Sequence, residues 1–283
     1  MRICVFSFNR GRFLQHCIES IEARVPRCPI SIYDDGSDDP STLEVLSTLE
    51  YRHRVVRHIG GQAGEGKHGG LYRNMQRAVE EQPPGEIVCF VQDDMQVVRS
   101  VDPEELDAIA DTLESFAPRF LHPAFLKACN RESDARDIRY DAEAGGYYSD
   151  RFDRSAGAFY SDVFIASVDH LRAVEWTFAE RESLNEAQAR QKMAQMFILR
   201  NPFFAWLPRV PAWRGRTRTI ALRAAERRRV TGSIRSSRCP SRAGPDSWSG
   251  IQVNSRLPRT FLRRRTDQSS RPGLTIPSRA AVG

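Results

Sequence analysis

A strand that ends in two adjacent carboxylates is the feature that most constrains this chain. Residues 87–91 are apolar and mostly β-branched or aromatic, after a Pro-Pro-Gly turn. That composition is typical of a strand buried on both faces of a parallel sheet. Asp93 and Asp94 follow within three residues, and ligands of open α/β sheets bind at the carboxyl ends of strands. The pair is a candidate site for a hard cation, with an ordinary acidic loop as the alternative.

The sequence before this strand alternates between strand and helix patterns. Each of three apolar runs is followed by a polar or glycine-rich turn and a segment of helical spacing: 3–8 with 13–21, 29–33 with 41–49, and 55–59 with 71–79. Ser41 is the expected N-cap of the second helix, because Glu44 stands three residues later. We therefore predict an α/β fold, a Rossmann-type, mostly parallel sheet flanked by helices, with the acidic loops at one edge.

The second half of the chain has a less regular pattern. Helical spacing predicts helices over 103–116 and 183–196, and the apolar segment 159–168 is expected to return to the sheet. Residues 129–156 are polar and contain glycine. We expect that stretch to be a mobile excursion near the site.

Length and cysteine usage bound the class of protein. A chain of 283 residues can bury a sizeable core, and its six cysteines have no paired spacing for zinc or redox chemistry. Because the first strand pattern begins at once, we expect no signal peptide. The longest apolar stretch, 196–213, is broken by arginine and proline. These features predict reduced thiols and a cytoplasmic protein, with peripheral contact to the inner face of a membrane as the alternative.

Charge is distributed unevenly along the chain. Residues 1–213 hold 25 Lys and Arg against 33 Asp and Glu, a net charge of −8. Residues 214–283 hold 17 Arg, no Lys and 3 acidic residues, a net charge of +14. The basic character belongs to the tail, so it does not identify the protein as one that binds nucleic acid.

The tail lacks the apolar residues that a packed core needs, and we predict that it is disordered. Three interpretations of residues 214–283 stay open: a basic arm for anionic membranes or nucleic acid, a basic amphipathic helix over 221–229, or out-of-frame translation of a high-GC gene. Arginine without lysine favours the third. The tail is therefore expected to be dispensable for folding and for the site.

Three polar segments each follow a predicted strand: Ser-Phe-Asn-Arg at 7–10, Asp-Asp-Gly-Ser at 34–37, and Gln-Asp-Asp at 92–94. Together they resemble the family 2 nucleotide-sugar glycosyltransferases of the GT-A fold. A fourth segment, 67–74, ends in the Arg-Asn pair of that family. The resemblance covers residues 1–213. It implies a GT-A-like domain with a nucleotide-binding half, 1–100, and an acceptor half, 101–213.

The resemblance also implies ligands for the acidic residues. Asp94 would hold Mn²⁺ or Mg²⁺, which bridges a nucleotide diphosphate to the carboxylates. The residues assigned to the nucleotide are Ser7, Asn9, Asp35, Arg73 and Asp93. Asp93 would contact the ribose, and Asp35 would accept the N–H of uracil. A plain Asx turn is the alternative for residues 34–39. Gln92 stands where many relatives have an acid, so the metal shell would be either thinner or completed by water.

Inverting transfer needs a base that takes the proton of the acceptor hydroxyl. The family places this carboxylate at a helix start in the second half of the domain, and Asn185-Glu186 resembles its acidic pair. Glu186 is therefore the first candidate and Glu182 the second. A surface carboxylate on a helix is the alternative for both.

The sequence leads to an enzyme that transfers a sugar from a nucleotide donor, UDP-linked, to an acceptor hydroxyl. The acceptor would be a glycan, a lipid-linked molecule or a protein, as in polysaccharide biosynthesis, and no nucleic-acid partner is expected. Two alternatives stay open: a non-catalytic nucleotide- or glycan-binding module, and a nucleotidyltransferase on a similar sheet.

Overall fold

A computed structural model describes residues 1–58, 70–125, 137–142, 144–150, 157–207 and 220 of the chain. The helices and strands follow in this order: β1 (Arg2–Ser7), α1 (Gly11–Arg24), β2 (Ile30–Asp34), α2 (Pro40–Leu49), β3 (Arg54–Arg57), α3 (Leu71–Glu80), β4 (Ile87–Gln92), β5 (Met95–Val97), α4 (Pro103–Ser115), β6 (Leu121–His122), β7 (Ile138–Asp141), β8 (Gly146–Ser149), β9 (Phe164–Ser167), α5 (Val168–Ala173), α6 (Glu182–Lys192), β10 (Phe197–Leu199) and β11 (Phe204–Trp206).

The main sheet has the strand order β3-β2-β1-β4-β9-β6-β10-β8-β7. Strands β3, β2, β1 and β4 are parallel, whereas β9 runs antiparallel to β4. A second, small sheet joins β5 to β11 in antiparallel pairing. The α/β prediction is confirmed, and the parallel strands that it depended on form one continuous half of the sheet.

Helices cover both faces of the sheet because successive side chains of a strand point to opposite sides. Ile3 and Val5 of β1 belong to an apolar cluster with buried apolar residues of α1, α2 and α4. Cys4 and Phe6 belong to the opposite cluster, with buried apolar residues of α3, α5 and α6. The central strands are buried between these layers, so their polar ends are the parts left to form a site.

The structure departs from the expectation for residues 129–156. Strands β7 and β8 lie within that stretch and pair with each other, and β8 also pairs with β10. The expected excursion therefore contains two strands of the main sheet, and its mobility stays a prediction. Their sequences, IRYD and GYYS, lack the long apolar run that makes a doubly buried strand recognisable.

The cysteines in the described part of the chain are free: Cys4, Cys17 and Cys89 are buried, and Cys28 is half-buried. Cys129 and Cys239 lie outside it, as do 208–219 and 221–283, which hold all but one residue of the tail. Within the described ranges, no helix is both long and apolar enough to cross a membrane.

Candidate functional site

The ends of three parallel strands bring the predicted site segments together. In the sheet, Ser7 stands beside Asp34, and Phe6 stands beside Gln92. The backbone of β1 also holds both neighbouring loops, because Ser7 O accepts Asp35 N at 3.0 Å and Phe6 O accepts Asp93 N at 3.1 Å. The acidic loops after β2 and β4 therefore lie on either side of the turn after β1, at the carboxyl edge of the sheet.

Asp93 is fully buried and bound by the turn after β1. Its Oδ2 accepts Ser7 Oγ at 3.0 Å and Phe8 N at 3.4 Å. Arg10 Nη2 lies 3.0 Å from Oδ1, an ion pair without hydrogen-bond alignment. Burial raises the pKa of Asp93 above its ordinary value, while Arg10 and the two hydrogen bonds oppose that rise.

The carboxylate of Asp94 makes fewer contacts than that of Asp93. Its side chain is 18% exposed, and Oδ2 lies 3.3 Å from Arg10 Nη1. Its Oδ1 is covered from solvent and has no hydrogen-bond partner among the described residues. The main chain is fixed, because Asp94 O accepts Leu207 N at 2.8 Å. Asp94 therefore offers an oxygen on an anchored backbone.

The acidic loop after β2 uses most of its polar side chains to hold its own shape. Asp34 accepts Ser37 N at 2.8 Å and Ser37 Oγ at 2.5 Å. Asn9 has a left-handed backbone, φ 52°, which Asn tolerates better than most residues. Its Oδ1 accepts the backbone N–H groups of Asp38 and Asp39 at 2.9 Å each, so Asn9 fixes the conformation of the loop.

The N-cap of α2 is Asp39, so the expectation of Ser41 is wrong. Asp39 Oδ2 accepts Thr42 N at 2.9 Å. Pro40 follows at the first helical position, where its fixed φ suits a helix start. The alternative of a plain turn thus describes Asp34 and Asp39. It does not describe Asp35, whose side chain bonds outside the loop, to Gly70.

Asp35 faces the first turn of α3. Its Oδ2 accepts Gly70 N at 2.7 Å. Burial raises the pKa of Asp35 above its ordinary value and Asp34 adds to the rise, while the Gly70 bond and the charges of His58 and Arg73 oppose it. Arg73 is exposed on α3. The structure thus brings Ser7, Asn9, Asp35, Arg73, Asp93 and Asp94 to one edge of the sheet.

The two predicted base candidates have different surroundings. Glu186 is 1% exposed, and its oxygens accept Tyr160 N at 2.8 Å and Phe159 N at 3.0 and 3.2 Å. Arg190 Nη2 lies 2.7 Å from Oε1. Glu182 is half-buried in the first turn of α6, where it lies within electrostatic reach of Tyr72 and Asp162. The catalytic assignments stay predictions.

Two charged residues near these carboxylates were not identified from the sequence pattern. Arg10 contacts both Asp93 and Asp94, and its place next to Asn9 in the turn after β1 was the available signal. Asp162 lies two residues before β9, and an acid directly before an apolar run was the corresponding signal there. Both contacts are tertiary, so sequence spacing alone could not assign them.

Comparisons with known proteins give a match to a family model and similarity to solved structures. The model of glycosyl transferase family 2 matches residues 2–124. A mannosyltransferase, PcManGT from Pyrobaculum calidifontis, solved in complex with GDP-Man and Mn²⁺, is 13% identical, with a TM-score of 0.49. That alignment covers 74% of this chain and 56% of the mannosyltransferase, so this chain spans little more than half of the mannosyltransferase.

A search of curated proteins gives no match. The family match spans β1 to β6 and therefore contains the Ser-Phe-Asn-Arg, Asp-Asp-Gly-Ser and Gln-Asp-Asp segments at the sheet edge. It confirms the resemblance drawn from those motifs. Residues 2–124 of the chain are therefore similar to glycosyl transferase family 2.

Proposed function

We propose that this protein transfers a sugar from a nucleotide-sugar donor to an acceptor hydroxyl, with inversion and with the help of a divalent cation. The observation that carries the proposal is the convergence of Asp35, Asp93 and Asp94 at one sheet edge within the residues that match family 2. The proposed acceptor is a glycan, a lipid-linked molecule or a protein.

The residues at this edge fit Mn²⁺ or Mg²⁺. No group of three or more His, Cys, Asp or Glu is placed to hold a metal within the described ranges. Asp94 nevertheless has a covered oxygen with no hydrogen-bond partner there, and Mg²⁺ is commonly held by one or two carboxylates together with substrate phosphates. When bound, the cation supplies positive charge that offsets the charge on the leaving diphosphate.

Asp35 is the proposed contact for the nucleotide base. A carboxylate has several lone-pair sites, and the hydrogen bond from Gly70 uses one of them. The remaining sites can accept the N–H of uracil, which is the basis for proposing a UDP-sugar. Asp93 is proposed to face the ribose, and Arg73 on α3 to add positive charge near the donor.

The Gly70→Ala variant tests this role of Asp35. A Cβ on Gly70 would lie 2.1 Å from Asp35 Oδ1, so the carboxylate must move. Because only a side-chain end shifts, we expect a stability change below about 1 kcal/mol and a fall in UDP affinity of about 10-fold, the value of one charged hydrogen bond. Calorimetric titration with UDP and Mn²⁺, beside thermal melting, measures both.

Gly11→Ala is the matched control for that variant. There the new Cβ would meet backbone atoms, Thr42 Cα at 2.7 Å and Ser41 O at 2.9 Å, which cannot rotate away. We expect this control to lose stability. If Gly70→Ala binds UDP as tightly as the parent, Asp35 does not contact the base.

The proposed function itself is tested by ligand-dependent melting and product release. UDP with Mn²⁺ at 100 times its Kd should stabilise the protein by about 2.7 kcal/mol, and neither component alone should do so. GDP in the same experiment tests the choice of base. Mn²⁺-dependent release of UDP from a UDP-sugar, with transfer to an added sugar or lipid-linked acceptor, is the result expected of a transferase.

A non-catalytic binding module is the second candidate function. Two observations favour it: Arg10 already pairs with both Asp93 and Asp94, and Gln92 replaces an acid. Stabilisation by UDP without any release of nucleotide from donors would support the module. Release of pyrophosphate instead of a nucleoside diphosphate would indicate a nucleotidyltransferase.

A further inference from the structure

Asp162 lies at the same sheet edge as the acidic pair, in a position that the sequence pattern alone did not indicate. The last β4–β9 pair at this end is Phe90 with Phe164. Asp93 comes three residues beyond Phe90, and Asp162 comes two residues before Phe164. Because β4 and β9 are antiparallel, both carboxylates lie beyond the same end of two adjacent strands, which are about 5 Å apart.

The start of helix α3 contacts both Asp162 and a residue of the proposed nucleotide site. Tyr72, in the first turn of that helix, donates its hydroxyl to Asp162 Oδ2 at 3.1 Å. Two residues earlier, Gly70 N donates to Asp35. One helical turn therefore contacts both carboxylates.

The surroundings of Asp162 are those of a carboxylate with a high proton affinity. Its Oδ1 is covered from solvent and has no hydrogen-bond partner in the described part of the chain. Burial raises the pKa of Asp162 to about 7, and Glu182 adds to the rise, while the hydroxyls of Tyr160 and Tyr72 oppose it. A general base works best when its pKa is near the operating pH.

We propose that Asp162 accepts the proton of the attacking acceptor hydroxyl, with Tyr72 orienting its carboxylate. This inference rests on the proposed function, because it assigns the base of that transfer. The acceptor oxygen forms a bond to the anomeric carbon as its proton passes to Asp162. The bond from that carbon to the phosphate oxygen breaks, and its electron pair leaves with the nucleoside diphosphate.

Glu186 is less suited to this step. Its oxygens accept two backbone N–H groups and pair with Arg190, so a substrate proton would have to compete with three donors. Glu182 is near enough to act on Asp162 electrostatically. In this proposal Glu182 is a positioning residue that raises the proton affinity of its neighbour.

The first test is Asp162→Asn in the full chain. With Mn²⁺ and either UDP-glucose or GDP-mannose, nucleotide release should fall about 100-fold or more, the scale of general-base loss. Affinity for the nucleotide diphosphate should stay unchanged, since the proposed role of Asp162 involves the acceptor hydroxyl and neither the donor base nor the metal. Glu180→Gln, an exposed change just before α6, is the control for altered charge and should behave as the parent.

The second test is the pH dependence of kcat/KM. Because the base must be ionised, activity should fall as the pH drops through about 7 in the parent. Glu182→Gln removes a negative charge, so the acid limb should move to lower pH. Tyr72→Phe removes a hydrogen-bond donor, so the limb should move to higher pH. A purely structural role for this cluster would not shift the limb in opposite directions.

The outcomes separate this inference from the proposed function. If the parent releases nucleotide and Asp162→Asn releases it at the same rate, Asp162 is not the base, while the transferase proposal stands. If Asp162→Asn fails to fold, the other two variants still test the inference. An acid limb of the kcat/KM profile that stays at the parent's pH in both Glu182→Gln and Tyr72→Phe refutes it. If the parent releases no nucleotide from either donor, both the transferase proposal and this role are refuted.

Discussion

Replacing Asp94 with asparagine should abolish Mn²⁺-dependent donor binding. The variant removes the negative charge from the carboxylate whose Oδ1 is not engaged by the described residues, and a divalent cation depends on that charge at close range. We expect the affinity for UDP with Mn²⁺ to fall at least about 100-fold, which is about 2.8 kcal/mol of binding free energy. Calorimetric titrations with Mn²⁺ alone, UDP alone and both together measure the loss.

The fold should survive this change. Asp94 lies in a loop, and the carbonyl that accepts Leu207 N belongs to its backbone and is kept. Arg10 loses one partner but retains Asp93 at 3.0 Å. We expect thermal melting to report a stability change of about 1 kcal/mol or less, the range of an ion pair that water can reach.

Asp102→Asn is the matched control for Asp94→Asn. Asp102 is exposed at the start of α4 and its side chain makes no capping hydrogen bond, so the variant makes the same chemical change away from the site. It should bind UDP with Mn²⁺ as the parent does. Equal Mn²⁺-dependent affinity in Asp94→Asn and the parent would exclude Asp94 as the metal ligand.

The parallel half of the sheet could be predicted because the burial of its strands is visible in their amino-acid composition. Strands β1, β2 and β4 are buried on both faces, so they appear as continuous apolar runs with polar turns at their ends. The carboxyl edge follows from the parallel order, and with it the grouping of Asp35 with Asp93 and Asp94.

Apart from β9, which lies in the apolar segment 159–168 that was expected to return to the sheet, the other half could not be predicted, since its strands are defined by their partners. β6 has two residues and β10 has three, which is too short for any periodicity to appear. β7 and β8 carry polar and glycine residues and form because they pair with each other and with β10. Tertiary contact outweighs local propensity in such segments.

The site divides in the same way. A carboxylate that ends a doubly buried strand is visible in the sequence, as Asp94 is. A carboxylate whose role depends on the residues packed around it cannot be recognised from the sequence. Asp162 and Glu186 are both acids beside regular elements, yet Tyr72 and Glu182 surround the first while backbone N–H groups hold the second. Only the packed structure distinguishes them.

Glu186→Gln should lower stability more than it lowers donor affinity. The carboxylate is buried, accepts the N–H groups of Phe159 and Tyr160, and pairs with Arg190, whose guanidinium also lies over the Phe159 ring. A glutamine keeps one acceptor oxygen and presents an NH₂ group where an acceptor is needed. Leaving a buried donor unpaired and weakening the ion pair should cost about 2–3 kcal/mol.

Thermal and urea unfolding measure this loss, with Glu180→Gln as an exposed control expected to unfold within about 0.5 kcal/mol of the parent. If Glu186 is instead the base that its motif predicts, the variant should melt as the parent does while nucleotide release falls about 100-fold. That result would return the catalytic role to α6. A drop in melting temperature with turnover retained in the folded fraction would assign Glu186 to holding the segment that leads into β9, and through it the position of Asp162.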